Sequence, residues 1–557
     1  MQMILQSAKW ERIFLHLTLR PEGFEQPMDS LSFYFVNEKD GGCKGSLYVT
    51  DISREQISLT FNIADRGDGR CLSNGNYRIA VCREDALLCF VTSVRENLSI
   101  QATMKDFPYQ KEGHYSSLLT VTEGGYIELG ILDDPGPETL KKKAFRLKKG
   151  YYNRAYRRFL SQKEKAEEKT ILFLTEMNEK PGENLTCVKD RLWQRQNEGT
   201  LDQKYRILES ARNSLGKKYT AKSDLDLIRT IAQSDILVVD DHIPMLDWLA
   251  ISRKTEVIQL WHAGVGFKAT GYSRWGHKGA VAPFCAHRFI THATVASDQV
   301  RDIFSELWGI DSSKVIPCGI PRMDRLMKED NRKKFREKML QKYPALSGKK
   351  VILFAPTYRG RGRNDASYPM DMLDLPALAQ AAKSAGYAVL FKMHPWISEE
   401  ILIDEKYRED LLIADPEDPI ETLFPGTDLL ITDYSSALFE YSVFQKPMLF
   451  FAFDEETYAH DRGFHRPYRE NAPGKVVSDF DSLLSAIRKE DFEQEKVEAY
   501  VKRHFDRLDD GATDRVIDWL IEGNMPEEYR ERERAYRETC ERRKRLRFSL
   551  QTEGGKA

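Results

Sequence analysis

Val257-Ile258-Gln259-Leu260-Trp261-His262-Ala263-Gly264-Val265-Gly266-Phe267-Lys268-Ala269-Thr270-Gly271-Tyr272-Ser273-Arg274 is the stretch from which the fold of this 557-residue chain is read. Val257 to Trp261 is a short apolar run of the kind that forms a strand buried on both faces. It breaks at His262-Ala263-Gly264, and Gly266 and Gly271 follow. Open α/β sheets place their ligands where such strands end. Lys268 and Arg274 bring positive charge to the same loop, so the group suits an anion held beside a proton acceptor.

Working outward, the same strand-then-helix alternation recurs on both sides. Thr170–Thr175, Ile236–Val239, Phe289–Ala293 and Lys314–Cys318 read as strands, and Val188–Asn197 and Lys204–Ser214 as helices. After a charged stretch from Asp330 to Lys342, a second unit begins. Its predicted strands are Val351–Ala355, Ala388–Met393, Leu411–Ala414, Asp428–Thr432 and Pro447–Phe453, with helices over Leu375–Ala385 and Ala437–Phe444. Two mainly parallel units in tandem imply a cleft between them.

The residues before them differ in kind. Short alternating runs from Ile13 to Leu132, separated by turn signals such as Asp40-Gly41-Gly42 and Asn74-Gly75-Asn76, predict a small sandwich or barrel. It reads as an accessory domain that positions the rest or binds a polymer, or as a packing or dimerisation module, with no catalytic constellation of its own. Leu140 to Lys163 then carries ten lysines or arginines, no acid, and interleaved Tyr151, Tyr152, Tyr156 and Phe159. That pattern suits a helix lying on an anionic membrane, or a linker helix with one packed face. The expected division is therefore 1–137 all-β, 138–168 basic linker, 169–345 and 346–490 the two α/β units, and 491–557 charged helices with mostly solvated faces.

Composition sets limits. Lys and Arg number 84 against 86 Asp and Glu, a net charge of −2, which argues against wholesale nucleic-acid binding. There is no eighteen-residue apolar run and no signal-peptide pattern at the start. The eight cysteines are scattered without a C-x-x-C pair, as expected of reduced thiols in a cytoplasmic protein. Asp224-Leu225-Asp226 has the spacing of a metal motif, but it follows Ser223 at a predicted helix start, so capping explains it better. Neither a metal nor a cofactor is expected.

Four further segments end strands with polar groups: Thr357-Tyr358-Arg359, Met393-His394-Pro395, Thr432-Asp433-Tyr434-Ser435-Ser436 and Arg462-Gly463-Phe464-His465-Arg466. Ser435 and Ser436 open a helix, where free N–H groups cradle phosphate. One histidine per α/β unit, His262 and His394, stands at a strand end facing the predicted cleft.

Residues 170–490 resemble the CDP-glycerol glycerophosphotransferase family, the glycerol- and ribitol-phosphate primases and polymerases of teichoic acid synthesis. The matching motifs are Leu260-Trp261-His262, Gly319-Ile320-Pro321-Arg322-Met323-Asp324, Ala355-Pro356-Thr357-Tyr358-Arg359, Met393-His394-Pro395 and Ile431-Thr432-Asp433-Tyr434-Ser435-Ser436 with Glu440 beyond. The first motif departs from the Trp-His-Gly-Thr-Pro-Leu-Lys of glycerol-phosphate polymerases and is closer to the ribitol-type branches, leaving the polyol open. The resemblance implies a GT-B-like pair of Rossmann-type domains. It also implies a CDP-alcohol donor, a lipid-linked acceptor polymer and release of CMP at the inner face of the cell membrane. A homo-oligomer is compatible with it. On this reading His262 is the general base. His394, Thr357, Arg359, Ser435 and Ser436 stabilise phosphate charge, Lys268 and Arg322 assist, and Glu440 meets the ribose. A nucleotide-sugar glycosyltransferase on the same fold, and a non-catalytic polymer-binding module, are the rival readings.

Overall fold

The computed structural model describes residues 1–24, 28–93, 104–109, 112–163, 167–214, 216–275, 277, 280–360 and 363–548. Residues 164–166 of the predicted linker and 549–557 of the predicted C-terminal segment lie outside them.

The N-terminal strands are β1 (Gln2–Glu11), β2 (Phe14–Glu22), β3 (Leu31–Asn37), β4 (Cys43–Ile52), β5 (Ile57–Asn62), β6 (Gly75–Arg83), β7 (Ala86–Thr92), β8 (Met104–Tyr109), β9 (Gly113–Val121) and β10 (Ile127–Asp134). They pair in the order β3-β4-β5-β2-β1-β7-β6-β10-β9-β8, and β3 also pairs with β6. The first seven therefore close into a ring, the arrangement that removes open edges. The last of the alternating runs forms the β9–β10 hairpin, turned at Glu123-Gly124-Gly125. The ring's interior is filled by side chains such as Phe33, Phe35, Phe61 and Tyr77.

The helix Leu140–Ser161 follows, with Tyr152 and Tyr156 buried against the first α/β unit and Leu140, Leu147 and Tyr151 exposed. That unit's strands are β11 (Lys169–Thr175), β12 (Tyr205–Ala211), β13 (Ile236–Val239), β14 (Glu256–Gln259), β15 (His292–Thr294) and β16 (Val315–Ile316), all parallel in the order β12-β11-β13-β14-β15-β16. Lys204–Ser214, predicted helical, is instead the edge strand β12. It pairs with only β11, so polar residues occupy its open side and blur the strand pattern. The second unit has β17 (Lys350–Phe354), β18 (Tyr387–Phe391), β19 (Leu411–Ile413), β20 (Leu429–Thr432), β21 (Met448–Phe451) and β22 (Lys475–Val477), all parallel, in the order β19-β18-β17-β20-β21-β22. Strand order reverses between β11 and β13 in one sheet and between β17 and β20 in the other. Crevices open at such reversals.

The last C-terminal helix, Glu527–Arg545, is mostly exposed, as its charge suggests, whereas the helices before it also enter the cores. Val497 and Val501 join the core that spans both α/β units, while Val516, Ile517 and Leu520 pack in the core of the first. The last helix, Glu527–Arg545, returns to the barrel, where the buried Arg543 guanidinium donates to the Ser46 hydroxyl and the Gly67 carbonyl. Its apolar positions are too sparse among Arg and Glu to show a face in sequence. A second tie joins three regions. Glu306, 1 % exposed, accepts from Arg12 of the barrel at 2.7 Å and from Arg466 of the second unit at 2.9 Å.

Candidate active site

The loop after β14 is held from three sides. Gly264 lies against the Phe439 ring, so closely that a Cβ there would sit 2.1 Å from ring carbons. Tyr500 donates to the Val265 carbonyl at 2.8 Å, and Lys268 forms a β-bridge with Phe464. Further on, Trp275 packs against the β8–β9 extension of the barrel, its ring 5.1 Å from Phe107 and 5.5 Å from Tyr115. The barrel thus buttresses the loop that carries the first histidine. Trp261 has φ of +58°, a strained value for a bulky residue, immediately before that histidine. The Asn184 amide holds the Trp261 carbonyl at 2.7 Å, and the Trp261 ring lies 4.0 Å from that of His262.

His262 and His394 line one cavity of about 520 Å³ between the two α/β units, together with Arg322, Ser435, Ser436 and Glu440. His262 Nδ1 lies 3.1 Å from Asp241 Oδ2. Asp241 was not singled out from the sequence, although it stands where β13 ends, and a carboxylate at that place is the signal that finds it. With Nδ1–H toward the carboxylate, Nε2 carries the lone pair. His394 is arranged differently. Its Nδ1 accepts from the Trp396 amide at 3.2 Å, which leaves the proton on Nε2. Burial, then the charges of Lys268 and Lys392, push its pKa down to about 4, so the ring is neutral at physiological pH. One imidazole is set to accept a proton and the other to donate a hydrogen bond.

Arg322 and Glu440 are both on the cavity wall but engaged with each other. The Arg322 guanidinium also donates to the His262 carbonyl. Glu440 is thereby a partner of Arg322 through Oε1 while it lines the cavity. Arg325, paired with Glu183 at 2.9 Å and with Glu421, extends this network along the wall. Ser435 Oγ accepts from the Ala437 amide at 3.3 Å. On the far wall, Lys392 Nζ donates to the carbonyls of Asp415 and Pro416, fixing the 415–421 loop that rims the cavity.

Lys268 does not line the cavity, but its charge acts on His394. Burial lowers its own pKa to about 8, with Asp433 opposing and Arg462 and Arg359 reinforcing. Arg274 is likewise lowered, by burial and then by Arg462, which also acts on Lys268, so the three cations are grouped behind the cavity. Thr357 and Arg359 stand off the wall, contrary to the sequence expectation. Arg359 grips Asp454 through Nε (2.6 Å) and Nη2 (2.9 Å), and Nη1 donates to Asp433 (2.8 Å) and to the Thr357 carbonyl. Four aromatic rings surround it at 5.3–5.6 Å. Its donors are spent on the loops after β17, β20 and β21, so it shapes the site from behind.

The family model described as CDP-Glycerol:Poly(glycerophosphate) glycerophosphotransferase matches residues 155–522. Over 352 residues the chain is 37% identical to the teichoic acid ribitol-phosphate polymerase TarL of Staphylococcus aureus, covering 62% of this chain and 61% of that one. Over 291 residues it is 38% identical to the teichoic acid poly(ribitol-phosphate) polymerase of Bacillus spizizenii, covering 52% and 47%. The matches thus span about half to three fifths of those relatives' lengths. A solved structure of the wall teichoic acid polymerase TagF overlays with a TM-score of 0.49 at 19% identity, covering 71% of this chain and 99% of that one.

Proposed function

Because the chain belongs to the CDP-glycerol:poly(glycerophosphate) glycerophosphotransferase family, we propose that it moves a polyol phosphate from a CDP-alcohol to a hydroxyl of a lipid-linked polymer and releases CMP. The observation that carries this reading is the pair of unlike imidazoles on one cavity, one from each α/β unit. The acceptor hydroxyl attacks the polyol-bearing phosphorus, its proton passes to His262 Nε2, and Asp241 stabilises the imidazolium that forms. The P–O bond to CMP breaks. His394 Nε2–H donates to an oxygen of the diphosphate as charge builds there, as a neutral imidazole does without needing to ionise. Ser435 and Ser436 supply hydroxyls, and the Lys268–Arg274–Arg462 cluster supplies the field that favours an anion.

Ribitol phosphate is the favoured unit. Ribitol-phosphate polymerases match at 36–38% identity, against 25–29% for the glycerol-phosphate enzymes. The two parallel sheets with a cavity between them support a GT-B-like arrangement of Rossmann-type halves. Exposed Leu140, Leu147 and Tyr151 among the cations of the helix Leu140–Ser161 support attachment to the anionic inner surface of the cell membrane. Among the described residues no helix is long and apolar enough to cross a membrane.

The test is to incubate the protein with CDP-ribitol or CDP-glycerol and a lipid-linked acceptor analogue, counting CMP released and units added. Release dependent on acceptor and on one CDP-alcohol is expected. Thermal stabilisation by UDP- or GDP-sugars, with no CMP from either CDP-alcohol, overturns the reading in favour of a glycosyltransferase.

A further inference from the structure

Away from the catalytic cavity, a second cavity of about 400 Å³ opens where the barrel, the helix Leu140–Ser161 and the segment after Trp275 meet. Its wall carries four cations from three separate parts of the chain. Arg66 and Arg70 come from the barrel loop, Lys149 from the helix and Arg288 from the turn Ala286–Phe289. Among the described residues no carboxylate lines it.

The presentation is rigid. Asp65 collects the amides of Gly67, Asp68 and Gly69 at 2.7–2.9 Å, and the Arg66 amide donates to the Arg70 carbonyl at 2.7 Å, which fixes the loop. Arg288 is steadied by the Cys285 carbonyl at 2.7 Å. Asp68 answers the charge of Arg66 through two contacts of 3.0 and 3.1 Å. Asp247 lies near enough to act on Lys149 and Arg288 but is itself committed to His242 at 2.9 Å. Burial, then the neighbouring Arg288, lowers the pKa of Lys149, as expected where like charges are crowded together. Such crowding is unfavourable until an anion enters.

Across Arg66 lies a smaller cavity of about 280 Å³, lined by Lys44, Arg543, Lys544 and Arg547 as well as the Arg66–Asp68 pair. On the protein's own side, Lys44 pairs with Asp40 and Lys544 with Glu541. Two cationic cavities sharing one arginine suit a ligand with at least two spaced phosphates better than a single phosphate or headgroup. In a chain with a net charge of −2, this concentration of cations is a local feature, not a consequence of composition.

We propose that the two cavities form a track for a poly(phosphodiester) chain, the growing polyol-phosphate polymer, gripped through its phosphates away from its reacting end. The identity of the polymer rests on the transferase reading above, whereas the binding of a phosphodiester chain does not. Arginine forks match phosphate oxygens in pairs, and the polar Ser73 side chain lies on the same wall.

The experiment uses the full chain and a fluorescently labelled glycerol-phosphate oligomer without any CDP-alcohol, read by anisotropy, with free glycerol phosphate as competitor. Binding that weakens with salt is expected. Arg70→Ala with Lys149→Ala and Arg288→Ala should weaken it by about tenfold or more, leaving the melting temperature and transfer to a single-unit acceptor unchanged. Arg70 is exposed, so Arg70→Glu alone tests the site without threatening the fold. Oligomer binding unaffected by either variant overturns the track. So does an equal loss from Lys141→Ala with Lys142→Ala and Lys143→Ala, which would mark general charge attraction. Loss of binding to phosphatidylglycerol vesicles in the Arg70, Lys149 and Arg288 triple variant, with oligomer binding kept, overturns it in favour of a headgroup site. If no CMP is released from any CDP-alcohol while the oligomer still binds at Arg70, the transferase reading fails and the track stands.

Discussion

His262 Nδ1 lies 3.1 Å from Asp241 Oδ2, and this contact follows from strand register. Val239 of β13 pairs with Gln259 of β14, so the residues just beyond both strand ends emerge side by side. The Gln259 side chain ties the two ends again, donating to the Asp241 carbonyl at 3.1 Å and accepting from the Trp261 amide at 2.9 Å. The sheet itself therefore selects the His262 tautomer.

His262→Ala is expected to lower turnover by about two to four orders of magnitude, the usual size of general-base effects, with little change in CDP-alcohol affinity. Asp241→Asn should lower turnover by roughly a hundredfold or more, because an amide can hold the ring in the wrong tautomer. Calorimetric donor affinity alongside single-turnover rates separates the two quantities. Unchanged turnover in the alanine variant removes His262 from the chemistry.

Lys268 and His394 make a linked pH prediction. Lys268, with a pKa of about 8, is charged at neutral pH and loses its charge above that value. Donor KM should therefore rise above about pH 8, and Lys268→Arg should abolish that rise. His394 should stay neutral down to about pH 4. Removing the Lys268 charge takes away one force that depresses it, so Lys268→Met should raise the His394 pKa in an NMR titration. An imidazole already charged at pH 6 in the wild type would contradict its role as a neutral donor.

Gly264→Ala should be far costlier than its one methyl group suggests. The new Cβ would lie 2.1 Å from the Phe439 ring, which is 1 % exposed and cannot swing away. Overpacking of this kind costs about 1–3 kcal/mol, and here it also displaces the loop bearing His262. Denaturant titration and turnover should both fall, and Phe439→Leu in the same chain should restore part of each. Wild-type stability in the single variant would show that the loop does not pack as described.

The helix Leu140–Ser161 predicts a separable defect. Leu140 and Leu147 are 84 % and 77 % exposed, whereas Tyr152 and Tyr156 are buried. Leu140→Gln with Leu147→Gln should therefore reduce co-sedimentation with anionic vesicles while leaving the melting temperature and activity on a soluble acceptor analogue unchanged. Equal co-sedimentation before and after counts against membrane attachment through this face.

The parallel strands were legible because burial on both faces makes them continuous apolar runs, as in Val351–Phe354 and Leu429–Ile431. Polar residues closing those runs pointed to His262, His394 and Ser435, all of which meet on one cavity. What escaped notice depends on contacts distant in sequence. Asp241 acts only because two strands are in register. Glu440 is paired with Arg322, 118 residues away. The edge strand β12 hides because one neighbour alone does not impose an apolar pattern, and Trp275 gives no local hint that it packs against β8 and β9.

Arg359 shows the same effect most clearly, and it yields a prediction about stability. A guanidinium after a strand end suits phosphate, yet here it neutralises Asp433, 1 % exposed, and the partly buried Asp454. Removing it strands two carboxylates in a ring of aromatic side chains. Breaking a buried pair from one side costs about 3–5 kcal/mol, so Arg359→Ala should lower the denaturation midpoint strongly. Arg359→Lys should recover only part of the loss, since an ammonium cannot make the forked contact with Asp454 while also reaching Asp433. The decisive comparison is donor affinity measured on the fraction that remains folded. A positioning role predicts a modest loss there, whereas direct contact with the diphosphate predicts a loss of affinity at unchanged stability.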